Sequence, residues 1–130
     1  MRRLIAVLVV GACILAFAVV ALAALPKKGA VYQGVIKSSP FEMKVLMGVA
    51  PKGKKLRFFT YLCGTGRPPT TVFGIPIDAT GHFKWTKMTG SVLVWRMAGH
   101  FVSPEKAFIS VNSIACGGSK GSTTLTLKPK

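Results

Sequence analysis

The sequence predicts one all-β domain, an antiparallel β-sandwich or flattened small barrel of about eight strands in mostly meander order, preceded by an N-terminal hydrophobic signal helix. Three observations carry this prediction. From residue 30 onward no segment keeps apolar residues at helical spacing for three turns; short alternating or β-branched runs recur instead; and Gly, Pro, Asn, Asp and Ser punctuate those runs at turn spacing. At 130 residues the chain is long enough for one such core and too short for two.

The N-terminus is different in kind. Met1-Arg2-Arg3 is basic, residues 4–25 carry no charge, and Ala21-Leu22-Ala23 places small side chains where signal peptidase reads them, so residues 1–23 are expected to be a cleaved signal peptide. Residues 4–25 are also long enough to span roughly 30 Å of hydrocarbon as an uncleaved anchor. Lys27 and Lys28 on the far side match Arg2 and Arg3, so flanking charge does not choose between the two. Either reading exports residues 30–130. Residues 24–29, with Pro26 and Gly29, read as a linker.

The strands follow in order. Residues 30–36 are rich in Val, Tyr and Ile, and in 41–49 Phe41, Met43, Val45, Met47 and Val49 alternate with polar or small residues, a period of two that turns one face inward. Pro51-Lys52-Gly53-Lys54 is a turn. Residues 56–62 come next and run into Cys63; Gly64-Thr65-Gly66-Arg67-Pro68-Pro69 then breaks the chain. In 71–77, Pro76 marks an edge or an end. Asp78-Ala79-Thr80-Gly81 is a turn in which the carboxylate bonds the backbone ahead and Gly81 supplies a positive φ. Residues 83–86, 92–100, 106–114 and 123–128 complete the set. The expected core is Val45, Met47, Phe58, Phe73, Ile75, Phe83, Leu93, Trp95, Phe108, Ile109, Val111, Leu125 and Leu127, each worth about 1.5–3 kcal/mol on full burial.

Of three cysteines, Cys13 lies in the leader and departs with it. Cys63 and Cys116 remain, and an even pair in an exported chain reads as a disulfide. Charge is the other strong signal. Removing residues 1–23 takes Arg2 and Arg3 from 18 basic side chains and leaves 16 against three acids, a formal charge of +13.

Tyr32-Gln33-Gly34, the run 58–63 ending in Cys63, Ile77-Asp78-Ala79-Thr80-Gly81-His82-Phe83, Gly99-His100-Phe101 and Cys116-Gly117-Gly118 follow an order and spacing that resembles a family of small secreted all-β domains common in high-GC Gram-positive bacteria. The resemblance covers about residues 29–127. It implies the fold, export and the cysteine pair, and it implies no chemistry, because the family has no assigned activity. Two departures stand out: this chain carries far more lysine, and Leu127 occupies the place of an expected aromatic.

Three acids and two histidines are thin material for catalysis, and no catalytic residue is assigned. Asp78 has a turn role, Glu42 alternates outward and Glu105 follows Ser103-Pro104 at a loop. His82 and His100 sit in matched Gly-His-Phe phrases; on adjacent strands the two rings could meet at a metal or titrate together, but a two-histidine site lacks further ligands. The plainer reading has Phe packing inward and His facing water. Neither metal nor cofactor is expected. The glycine-rich stretches 64–66 and 117–121 lack the strand–loop–helix context of a phosphate loop and read as connections after each half-cystine.

The basic residues are the candidate binding set. Lys52, Lys54, Lys55 and Arg57 cluster at one hairpin, and Lys84, Lys87 and Arg96 lie on neighbouring strands. Such a surface attracts an anionic cell-envelope polymer or lipid headgroups; the alternative is that the lysines serve solubility and blunt sheet edges. Sequence-specific nucleic-acid recognition is not expected, since no recognition helix or stacked aromatic sheet is evident beyond Phe59, Tyr61 and Trp85. The expected function is a non-enzymatic, envelope-associated domain that binds anions through a lysine-rich face. Two alternatives are a carrier of a small apolar ligand in a barrel interior, and an enzyme using His82 or His100.

Overall fold

The structure is a computed structural model, and it describes residues 24–38, 41–64, 66 and 68–129. The expected signal or anchor at residues 1–23 lies outside the described residues. Among the described residues no helix is long and apolar enough to cross a membrane.

All eight expected strands form. They are β1 (Val31–Ile36), β2 (Met43–Val49), β3 (Lys55–Cys63), β4 (Thr70–Pro76), β5 (His82–Thr89), β6 (Val92–Ser103), β7 (Lys106–Ser113) and β8 (Ser119–Leu127), with one 3₁₀ turn at Ile114–Cys116. The sheet order is β4-β3-β2-β1-β8-β7-β6-β5 and every pairing among the described strands is antiparallel. Each strand therefore neighbours its successor along β1–β4 and along β5–β8. The two meanders join where β1 meets β8, at Tyr32 opposite Leu127 and Gln33 opposite Thr126. The remaining edges, β4 and β5, are joined by the turn at Asp78, where the Asp78 N–H donates to the His82 carbonyl at 2.9 Å. The result is a nearly closed barrel-like sheet with its seam between β4 and β5.

Alternation fills the interior. Tyr32 and Ile36, Met43 and Met47, Leu56 and Phe59, Ile75, Ile109 and Leu125 are fully buried, with Trp95 and Met97 scarcely less so. Aromatic rings bridge the two meanders: Phe59 stacks on Trp95 at 6.3 Å between centroids and Tyr61 meets the same indole edge-on at 5.1 Å. The Tyr61 hydroxyl lies 3.0 Å from Ser113 Oγ, so the polar tip of a buried ring is satisfied. Tyr32 stacks edge-on against Phe101, and its hydroxyl accepts from the Lys27 N–H at 3.0 Å and donates to the Pro104 carbonyl at 2.6 Å. Burial pushes the Tyr32 phenol above its ordinary pKa. Through these bonds the segment 24–30 lies against the barrel.

Five residues of the expected core are not buried, for three physical reasons. Phe58 and Phe73 face outward because Arg57 interrupts the alternation: Leu56 opposes Val49 while Phe58 opposes Gly48, so β3 gains one residue and Phe59 takes the inward place. Across the next ladder Gly74, at φ +72°, lets β4 follow the same irregularity, and Phe73 is left 72% exposed opposite Phe58. Phe108 lies between inward Ala107 and Ile109 and so must face out. Leu93 and Leu127 are half-buried near strand ends, where the sheet covers them on fewer sides.

The stretch 117–121, expected as a connection, is mostly strand. Only Gly117 and Gly118 form the connection, with φ +68° and +81°; Ser119 already opens β8. A Cβ on Gly121 would meet Ile36 Cγ2 at 2.6 Å, so this glycine permits close packing rather than a loop. Cys63, at the end of β3, and Cys116, in the 3₁₀ turn, sit at disulfide distance with Cα atoms 5.6 Å apart, inside the usual range for a bridge.

Candidate anion-binding surface

Antiparallel register places residues of four strands in rows on the outer face. Lys84 opposes Ala98, Ala98 opposes Ser110 and Ser110 opposes Ser122; two residues along, Thr86 opposes Arg96, Arg96 opposes Asn112 and Asn112 opposes Lys120. These two rows line a shallow groove of about 560 Å³. Its middle is low because Ala98, Ser110, Gly121 and Ser122 are small, and its rim carries Lys84, Arg96 and Lys120, all exposed. No carboxylate lines it.

The sequence-predicted basic residues thus fall into separate places. Lys84 and Arg96 come together in the groove. Lys87 opposes Trp95, whose side chain is buried, so it leaves β5 on the other side from Thr86 and does not join the rows. Lys52 and Lys54 occupy the β2–β3 turn, with Lys55 and Arg57 at the start of β3; all four are exposed. The Lys28 side chain runs beside Gly53 and adds a charge to that turn. The Arg57 guanidinium lies 5.5 Å from the Phe58 ring centroid, a cation–π contact on the outer surface. Lys120 was missed because the sequence assigns it to a glycine-rich loop; the signal that could have found it is the alternation of Thr124, Ser122 and Lys120 opposite Leu125, Thr123 and Gly121.

The acids lie elsewhere. Asp78 Oδ1 accepts from the Thr80 hydroxyl at 2.7 Å and from the Thr80 and His82 N–H groups, both at 2.9 Å, which confirms the expected turn. These donors favour the ionised carboxylate: the Thr80 hydroxyl first, then the His82 amide, hold its pKa below the ordinary value. Gly81 has φ +79° and carries no room for a Cβ, which would run into the Ala24 carbonyl. Glu42 and Glu105 are exposed.

His82 and His100 oppose each other across β5 and β6, their rings stacked at 5.1 Å with an interplanar angle of 27°, and His100 meets Phe108 at 5.8 Å. Phe83 and Phe101, their neighbours in sequence, are buried and in contact at 5.4 Å. The phrase Gly-His-Phe therefore alternates as the plainer reading expects. His82 Nδ1 lies 3.0 Å from the Thr80 hydroxyl. Among the described residues no group of three or more His, Cys, Asp and Glu side chains could hold a metal ion.

Comparison of the chain with family models, with curated proteins and with solved structures finds no match.

Proposed function

We propose that this protein is an exported, non-enzymatic β-domain held at the anionic surface of the cell envelope by its basic outer face. The observation that supports it is the gathering of Lys84, Arg96 and Lys120 over one groove without a carboxylate, on a chain whose formal charge is +15 with only three acids. Among the described residues no carboxylate lines the groove with these cations, and they raise the local concentration of any polyanion at the surface. The pair Cys63–Cys116 is compatible with the oxidising setting that export provides. The carrier reading has little to favour it, since Tyr32, Phe59, Tyr61 and Trp95 occupy the barrel interior.

The test is salt release. The native protein should sediment with isolated envelope, or with vesicles containing phosphatidylglycerol, at low ionic strength and be released as the Debye length shrinks from about 30 Å at 0.01 M toward about 3 Å at 1 M. Retention at high salt, or no sedimentation at low salt, would overturn the electrostatic reading.

A further inference from the structure

The groove on β5–β8 narrows the partner to one chemical class. We infer that it is a subsite for a linear polyol- or sugar-phosphate polymer, in which successive phosphodiesters sit against Lys84, Arg96 and Lys120 and the hydroxylated linker between them lies on Ser110 and Ser122. This rests on the envelope-binding reading above and specifies where and what the protein binds.

Lys84 and Arg96 lie on adjacent strands one row apart, a diagonal of about 7–8 Å. Arg96 and Lys120 share a row two strands apart, and at about 4.8 Å per strand their backbones stand roughly 10 Å from each other. The three cations thus form a triangle that a chain bringing several negative groups across the strands can meet at each corner. Lys84 and Lys120 supply mobile point charges, whereas the Arg96 fork between them can take two oxygens of one phosphodiester.

The floor then selects among polyanions. Between the cations stand Ala98, Ser110, Ser122 and Gly121, with Thr86 and Asn112 beside them. Hydroxyls and a side-chain amide match a linker rich in hydroxyls. No aromatic ring lines the groove, so a single-stranded nucleic acid would find phosphate contacts but no platform on which its bases could stack, and stacking is worth about 1–3 kcal/mol per base in proteins that bind such strands.

The experiment measures binding of the full exported domain to poly(glycerol phosphate) at about 0.15 M salt. Two variants remove equal charge from different places: Lys84→Gln/Arg96→Gln/Lys120→Gln in the groove, and Lys52→Gln/Lys54→Gln/Lys55→Gln at the hairpin. All six side chains are exposed, and circular dichroism with thermal melting verifies that both variants keep the fold. The groove variant should lose about tenfold or more in affinity and the hairpin variant less than about threefold, with a smaller salt slope only for the groove variant. Oligothymidylate of equal charge should compete weakly. Equal losses in both variants, or equal competition by oligothymidylate, would overturn the subsite. If the native domain ignores poly(glycerol phosphate) yet sediments with phosphatidylglycerol vesicles at low salt, the subsite falls while the envelope reading stands; if it binds neither, both fall.

Discussion

At the scale of single residues, Asp78 is the clearest place where a side chain decides local structure. One carboxylate oxygen gathers the Thr80 hydroxyl and two backbone N–H groups, so the turn that joins the two edge strands depends on that oxygen being a strong acceptor. Those bonds depress its pKa in the folded state. A depressed carboxylate contributes stability that is present above its unfolded pKa, about 3.9, and is lost as pH falls through the folded value. Replacing Asp78 by Asn keeps an acceptor but removes the charge. The melting temperature of the native protein should therefore exceed that of Asp78→Asn near neutral pH, and the gap should narrow as pH falls from about 5 toward about 2. A gap that does not change with pH would show that the bonds stabilise the turn without the charge.

At the scale of the strand, the irregularity at Arg57 decides which of two adjacent phenylalanines belongs to the core. Phe59 is fully buried against Trp95 and Tyr61, whereas Phe73, which strict alternation counts inward, is 72% exposed. Truncating a buried phenylalanine leaves a cavity and costs about 3–5 kcal/mol. Phe59→Ala should fall in that range by urea denaturation, and Phe73→Ala should stay within about 0.5 kcal/mol of the native protein. The reverse order would mean that β3 pairs with β2 without the shift at Gly48 and Val49. This strand pair also marks the limit of what pattern alone conveys. Alternation located all eight strands, because Val45 and Met47, or Ile109 and Val111, repeat with the period of the pleat wherever the ladder is regular. It failed at Phe58 and Phe73, where an inserted residue and a positive-φ glycine shift the period by one, a change that leaves no mark in hydrophobicity. The groove was half legible for a related reason: Lys84 and Arg96 sit on strands with obvious apolar alternation, while Lys120 sits among glycines and serines that read as loop. Gly121 is in fact a strand residue, pressed so closely against Ile36 that a Cβ has no room there.

At the scale of the whole molecule, two features act on all the strands together. The pair Cys63–Cys116 connects the N-terminal meander to the C-terminal one, and the loop it closes contains β4 to β7, including the weakly joined seam between β4 and β5. In the chain-entropy account a closed loop of this length is worth on the order of 4 kcal/mol, so reduction, or Cys63→Ser with Cys116→Ser, should lower the denaturation free energy by about 2–5 kcal/mol. A loss below about 1 kcal/mol would mean that the ladders alone hold the seam. The opposing feature is charge. With 18 basic and three acidic side chains, Lys and Arg face few internal partners, and their mutual repulsion raises the free energy of the compact state more than that of the expanded chain. Added NaCl should therefore stabilise this protein, raising its melting temperature between about 0.02 M and 0.3 M salt, where the Debye length falls through the spacing of surface charges. The hairpin variant lacking Lys52, Lys54 and Lys55 should melt higher at low salt and respond less to added NaCl, since part of the repulsion is already gone. If the melting temperature instead falls with salt, attraction between paired charges outweighs repulsion; the rim of the groove would then be neutralised within the fold, with no free cations left to draw an anionic polymer.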